Sequence, residues 1–526
     1  MLKTGWNFRL LGNNRLFPVS IFLFAVIVHL PYLVPGGPSP RYTWPLKLVC
    51  DEGTALYDAF RITSGEVIYR DFFQFQGPVF YYLYAGIFAF TGPSMEAARA
   101  MNILITAFTA TIIAMLIARS LGTIISVGAA VVHICLLVPM WPYAYPHWLA
   151  EALVFLGLYF LISNNESRSH KMLCGACFGL SAATIQSLGL PILSSCMVCF
   201  TIVGIMKRNW KEALLRPLQI FIGALLGVAP FILHLGLTGA LESMWYAMFE
   251  WVFTHYPEGQ IDAAMRGYGA FLESYIIAHA RIHWPWRELA VACLNFIKLL
   301  PLLGLIGAIV VTVKFFINKR QQPSDNTHLI IGVTVIAGTI PIIFGITRAD
   351  LTHVAFVGSF GLCGTVIFLS SLTSRNPRFR LPIVFIWSII GILVLANYGV
   401  KTIMTYQPSK RMQNWRGEVL KLGMARWIDS HVSTKERIVV ADMGGLQYLY
   451  IRRSAVGFTF IPGNTPRYFS DEQWIELGRQ ILKALPPVID LTQAQWLQVT
   501  ERIPELEPLY QRNNRLLLRV GFTPRN

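Results

Sequence analysis

Apolar residues run along this chain in blocks too long for a soluble fold. Segments such as LFPVSIFLFAVIVHLPYLV (16–34) and RPLQIFIGALLGVAPFILHLGL (216–237) reach the ~20 apolar residues that an α-helix needs to cross a bilayer. The pattern predicts eleven spans, near 16–34, 97–118, 123–140, 148–163, 172–188, 190–206, 216–237, 297–316, 328–346, 353–372 and 381–400. A further stretch, GPVFYYLYAGIFAFTG (77–92), is ~16 residues long, which suits a helix lying in the membrane surface better than one crossing it. Beyond residue 400 the pattern changes to mixed polar sequence. There RIVVAD (437–442) and RLLLRV (515–520) read as short strands, and DEQWIELGRQILKAL (471–485) as a helix. The chain therefore divides into a transmembrane part, 1–400, and a small soluble α/β domain, 401–526.

Composition agrees and removes other classes. Of 526 residues, 54% are hydrophobic and 14% charged, against ~25% charged in soluble domains, which excludes a disordered or nucleic-acid-binding chain. The net charge of +16 is then information about topology. With 77–92 on the membrane surface, Lys3, Arg9, Arg15, Arg119, Arg168, Lys171, Lys207, Arg208, Lys211, Arg216, Lys314, Lys319, Arg320, Arg375, Arg378 and Arg380 all fall on one side, accompanied only by the acids Glu166, Glu212 and Asp325. The positive-inside rule makes that side cytoplasmic. The N-terminus is expected inside, and loops 35–96 and 238–296 and the C-terminal domain outside. The first apolar run lacks a small-residue cleavage site, so it reads as a retained anchor in the cell (inner) membrane.

Several motifs carry little. CGAC (174–177) and CMVC (196–199) have zinc-like spacing, but both lie inside apolar helices, where cysteine behaves as a small buried hydrophobe. His279 and His283 stand four apart near Glu273 without the HExxH pattern of a metal helix, and read as a polar loop face. No GxGxxG or GxxxxGK is present, so no familiar nucleotide site is supported. Nothing in the pattern calls for a divalent metal.

Candidate chemistry gathers in the outer segments. Asp51 and Glu52 follow the first span by a short connector, so either carboxylate could act as a base close to the membrane surface. They could equally be acids complementing the N-terminus of a helix. Glu151, with His147 one turn earlier, lies at the outer end of the fourth span. A carboxylate in a span costs ~2.5–3.5 kcal/mol and so faces a cavity or a partner. TRADLTH (347–353) puts Arg348, Asp350 and His353 in one short outer turn, where a guanidinium and an imidazole could grip a phosphate or merely cap a hairpin. Lys298, beside Asn295 at the entrance of the eighth span, is a second phosphate candidate, or a lysine that snorkels.

The run of DEG, Tyr57, Arg61, then YRDFF (69–73), a GP-led Tyr-rich helix, FTGPS and AAR resembles the first outer loop of the membrane-embedded glycosyltransferases of the GT-C superfamily. It is most similar to the protein O-mannosyltransferase and aminoarabinose-transferase relatives. The resemblance implies an about 11-helix transmembrane fold of GT-C type. It also implies transfer of a hexosyl or pentosyl unit from a polyprenyl-phosphate sugar donor to a glycan, lipid or protein acceptor hydroxyl. Asp51 matches the family's base, Glu151 its expected second acid, and Arg348, Asp350 and His353 an Arg-x-Asp-x-x-His turn of bacterial members. Tyr57, Arg61, Arg70 and Asp71 would shape the loop and the acceptor site. Where relatives carry Lys or paired prolines, this chain has Gln76-Gly77-Pro78, which puts a phosphate contact there in doubt. The rival readings are a lipid or sugar transporter, which predicts inverted repeats and midplane polar residues that the sequence does not show, and a catalytically inactive family member.

Overall fold

The computed structural model describes residues 16–35, 37–38, 50–163, 167–255, 267–273, 285–317, 327–344, 349–406, 414–441, 444–462 and 468–525. Each of the eleven predicted spans is a helix: α1 (Leu16–His29), α4 (Met95–Leu121), α5 (Thr123–Val132), α6 (Pro146–Ser163), α7 (Arg168–Ala182), α8 (Gln186–Met206), α9 (Trp210–Leu237), α13 (Trp286–Ile317), α14 (Thr327–Ile343), α15 (Leu351–Arg375) and α16 (Arg380–Thr405). Nine helical segments among the described residues are long and apolar enough to cross a membrane. The remaining two, α7 and α14, have 15 and 17 residues, so the boundary predicted at 188 moves back to the turn at 183–185. Between the spans lie α2 (Cys50–Thr63), α3 (Val79–Thr91), α10 (Leu241–Trp245), α11 (Trp251–Thr254) and α12 (Tyr268–Glu273).

Local chemistry sets several of these ends. The Ser94 hydroxyl accepts from Ala97 N–H to start α4, and Gly122, at φ +82°, lets the chain leave it. Past α5 the helix widens into a π-turn at His133–Leu137 and tightens at Val138–Met140, where Pro139 lies. Such a wide turn is a frequent mark of a functional region.

The short helix α3 does not carry the chain across the bundle. Leu33 O, after α1, accepts from Trp415 Nε1 at 3.0 Å, and Met95 N, opening α4, donates to the Tyr450 hydroxyl at 2.9 Å. Both partners belong to the C-terminal region, so the chain leaves α1 and enters α4 at the same end. Ala144 N donates to Glu52, and Gln186 Nε2 to Phe75 O, which brings the starts of α6 and α8 to that end as well.

The C-terminal region caps this end. It contains α17 (Trp415–Val419), α18 (Ala425–His431), α19 (Gly444–Tyr450), α20 (Asp471–Ala484) and α21 (Gln493–Thr500), with a four-stranded sheet in the order β1-β2-β4-β3. Strand β1 (Val439–Val440) pairs in parallel with β2 (Val488–Asp490), which pairs antiparallel with β4 (Leu516–Arg519), itself antiparallel to β3 (Tyr510–Asn513). Both predicted strands and the predicted helix appear, α20 starting on a reciprocal Ser470–Gln473 capping box. One hydrophobic core runs from the bundle through α2 into α17–α19, while the sheet packs Val439, Ile489 and Leu517 with Trp474 and Trp496 into a second. Where α2 crosses α19, a Cβ on Gly445 would lie 2.4 Å from Gly53 C, so only glycine permits that approach.

Candidate active site

Helix α2 begins with Asp51 exposed in its first turn and Glu52 fully buried behind it. Glu52 is held by Arg99 of α4 through two bonds, Nε to Oε1 at 3.0 Å and Nη2 to Oε2 at 2.5 Å, and Oε1 also accepts from Ala144 N–H at 3.0 Å. Arg99 is itself buried, stacked 4.1 Å from the Trp415 ring, and donates to Tyr32 O. A buried carboxylate with a forked guanidinium is a satisfied ion pair. It locks α2 to α4, to the loop before α6 and to α17, and leaves Asp51 as the carboxylate turned outward. The sequence signal for this pair is an arginine two residues into an otherwise apolar span.

The other loop residues are also committed to architecture. The buried Tyr57 hydroxyl accepts from Ser454 N–H at 2.8 Å, and Arg61 pairs with Glu66 at 2.5 Å while donating to Val456 O and Asp71 O. Arg70 grips Asp71 with two bonds and donates to Thr238 O at 3.2 Å; the Arg70 hydrogen bond holds the Asp71 pKa below the ordinary range. The Gln76-Gly77-Pro78 departure has a structural use as well. Gln76 O and Oε1 accept from the Tyr69 and Tyr81 hydroxyls, and a Cβ on Gly77 would lie 2.1 Å from Ala183 O.

A carboxylate that sequence reasoning missed sits deeper in α2. Asp58 is fully buried, accepting from the Thr459 hydroxyl at 2.5 Å and from Gln74 Nε2 at 2.9 Å. Burial lifts its pKa from 3.8 to about 7, against the opposing pull of Thr459, Arg61 and Gln74. It ties the first loop to the C-terminal region, and no composition or spacing signal distinguishes it from a surface acid.

From Ala144, bonded to Glu52, the chain leads in three residues to a second cluster. Tyr145 and His147 stack with ring centroids 5.2 Å apart, and both stack on Phe356 of α15 at 5.9 and 4.4 Å. His147 meets His353 edge-on at 5.7 Å, and its Nδ1 has no hydrogen-bond partner among the described residues. Asp350 caps α15 by accepting from Thr352 N–H and His353 N–H, and its Oδ1 lies 2.9 Å from His353 Nδ1. An ionised carboxylate only accepts, so the His353 proton on that side is Nδ1–H, and the ring can donate through Nε2 as well only as the imidazolium. Arg348 lies outside the described residues.

Glu151, one turn below His147 on α6, is fully buried. His133 Nδ1 is 3.9 Å from its Oε1, and His133 in turn bonds the Ser359 hydroxyl at 2.8 Å. Lys298 does not stand at the entrance of its span, because α13 already begins at Trp286; it is buried within the helix with its ammonium 4.9 Å from the Phe271 ring, and its carbonyl accepts from the Tyr268 hydroxyl. Among the described residues no three His, Cys, Asp or Glu side chains converge as a metal-ligand set. Cys174, Cys177, Cys196 and Cys199 are free and buried, while His279 and His283 lie outside the described residues.

No family model and no curated protein matches this sequence. Solved structures do match. ArnT from Cupriavidus metallidurans, bound to undecaprenyl phosphate, superposes with a TM-score of 0.58 at 12% identity, over 96% of this chain and 97% of that one. Its apo form gives 0.56 at 12% identity over 95% and 97%. The oligosaccharyltransferase of Archaeoglobus fulgidus gives 0.53 at 14% identity over 93% of this chain and 71% of that one. At such identities the likeness is one of fold, and the resemblance carried by the first loop is borne out at that level: this chain shares the GT-C-type fold of these structures.

Proposed function

We propose that this protein is an integral membrane glycosyltransferase that moves a sugar from a polyprenyl-phosphate-linked donor to an acceptor hydroxyl at the outer membrane face. The observation that carries the reading is the continuous contact path at the capped end of the bundle. It runs from Asp51–Glu52 through Ala144 and His147 to the Asp350–His353 pair. The ArnT structure of the same fold was solved with undecaprenyl phosphate, which supports a donor of that class. The clustering of basic loops away from this end supports its facing outward.

In the reaction, the acceptor oxygen attacks the anomeric carbon and its proton passes to Asp51. The bond from that carbon to the phosphate oxygen breaks, the electron pair leaves with the polyprenyl phosphate, and the sugar inverts. Glu52 positions Asp51 by fixing the start of α2. His353, oriented by Asp350, and Arg348, beside the same turn, stabilise the phosphate as its charge grows. Lys298 is a further cation for that phosphate, and Glu151 is a second acid, buried beneath His147.

Replacing Asp51 with Asn keeps the shape and removes the basicity. Transfer from a purified polyprenyl-phosphate sugar should fall by ~10²–10⁴ with donor binding and melting temperature unchanged. Near-wild-type turnover would end the assignment, and loss of fold would make Asp51 structural. Arg348→Lys should raise the KM for the donor without changing stability, because lysine cannot reproduce a forked grip on phosphate. Wild-type behaviour at limiting donor would transfer that role to Lys298.

A further inference from the structure

The segment that follows α9 is a continuous helical stretch from Leu241 to Thr254, with a π-turn at Tyr246–Glu250 between α10 and α11. Its side chains divide into three stripes. Ala247, Met248 and Trp251 are buried in the protein, Trp251 completely. There the Trp251 indole donates to Gln473 at 2.9 Å and packs on Phe73 and Phe75, while Met248 O accepts from Gln186. The second stripe is polar: Glu242, Tyr246, Glu250 and Thr254, four residues apart. The third, Leu241, Trp245, Phe249 and Phe253, is wholly apolar. Leu241, Trp245 and Phe253 are 38, 56 and 75% exposed, and the Trp245 and Phe249 rings are 4.7 Å apart.

A four-residue spacing drifts around a regular helix, so an apolar stripe of this length would wind away from its own face. The wide π-turn takes up an extra residue in the middle and counters that drift, keeping Trp245, Phe249 and Phe253 in line. Large aromatic side chains presented in a row beside a polar row are costly in water.

The membrane explains what covers them. Helix α9 ends at Leu237, which is 89% exposed, and the exposed Leu226 and Leu233 precede it on a helix apolar enough to span. The apolar stripe begins four residues after Leu237, across the turn made by Gly239 at φ +72°, so it continues the lipid-facing surface of a span. We propose that residues 241–254 form an interfacial helix whose Leu241–Trp245–Phe249–Phe253 stripe is immersed at the boundary between headgroups and acyl chains. Its polar stripe then faces the C-terminal region and water. Trp and Phe at that depth are an ordinary anchor. The helix carries Glu242 and Glu250 and no Lys or Arg, so its seating does not depend on anionic lipid. Through Trp251 and Met248 it fixes the height of the first loop and the C-terminal region above the bilayer, independently of which reaction they serve.

The test uses the full-length protein in phospholipid nanodiscs with Cys50 replaced by Ser, Cys50 being the cysteine that is not fully buried. A fluorophore is placed by Phe253→Cys on the apolar stripe or by Glu250→Cys on the polar one. Brominated acyl chains should quench the label at 253 several-fold more than at 250, and aqueous iodide should show the reverse order, alike in phosphatidylcholine and with phosphatidylglycerol added. Trp245→Cys serves as a second apolar probe if Phe253→Cys does not fold. Equal iodide access at 253 and 250 would overturn the proposal, and so would a label at 253 shielded from both quenchers. Deeper seating only when phosphatidylglycerol is present would overturn the claim of charge independence.

Discussion

Two clusters of ionisable groups stand at the same end of this molecule and are built in opposite ways. In the first loop, Glu52 and Arg99 are both fully buried, Arg61 is buried beside Glu66, and Asp58 is buried between two donors, with Arg70–Asp71 the one exposed pair among those described. At the starts of α6 and α15, Asp350 and His353 keep 31 and 23% of their side-chain surface exposed, and His147 Nδ1 has no hydrogen-bond partner among the described residues. Charge that is fully compensated inside protein holds elements together and is costly to disturb. Charge left partly in contact with solvent can change partners when a substrate arrives. The first loop thus spends most of its paired acids and bases on shape, and Asp51 differs from Glu52 in being exposed on the first turn of α2.

The contrast is broken most sharply at Glu52. Glu52→Ala leaves Arg99 as a buried charge without its carboxylate and should cost ~3–5 kcal/mol, read as a large drop in melting temperature in detergent. Arg99→Ala should do much the same, and the double variant should cost less than the sum of the two. If Glu52→Ala keeps its stability but loses turnover, Glu52 belongs to the reaction and the division drawn here fails.

Asp58 offers a test by pH. Its pKa is raised in the folded protein, so the native state holds that proton more tightly than the unfolded chain does. The contribution is full below about pH 3.8 and is lost as pH rises to about 7. Asp58→Asn, which cannot ionise, should therefore gain melting temperature relative to the parent across that window and keep a constant margin above it. A margin independent of pH would mean that Asp58 stays ionised throughout.

The smallest expected effect sharpens the second cluster. Asn is nearly as good an N-cap as Asp, so Asp350→Asn should change stability by less than ~0.5 kcal/mol, whereas Asp350→Ala should cost ~1 kcal/mol. Both remove the charge that orients His353, and both should displace the pH profile of turnover. A profile unchanged in Asp350→Asn would reduce the pair to a helix cap.

Much of this molecule follows from one-dimensional pattern. The lipid-exposed helices are legible because hydrocarbon leaves backbone groups no partner but each other, so length and apolarity suffice to mark them. The short 77–92 segment is recognised by charge parity, and α20 by its cap and apolar spacing. Strands β2 and β3 are not legible, since PPVID (486–490) and YQRN (510–513) are too short to carry a period and pair only because β4 lies between them. The site divides in the same way. Asp51, His147, Asp350 and His353 stand out as polar residues at the ends of apolar runs, a property of the chain alone. That Glu52 is bound to Arg99, that Asp58 meets Thr459 some 400 positions on, and that Phe356 stacks the two histidine-bearing helices together are outcomes of packing. They depend on which distant residues the fold brings within hydrogen-bond or van der Waals range, and no spacing along the chain encodes that distance.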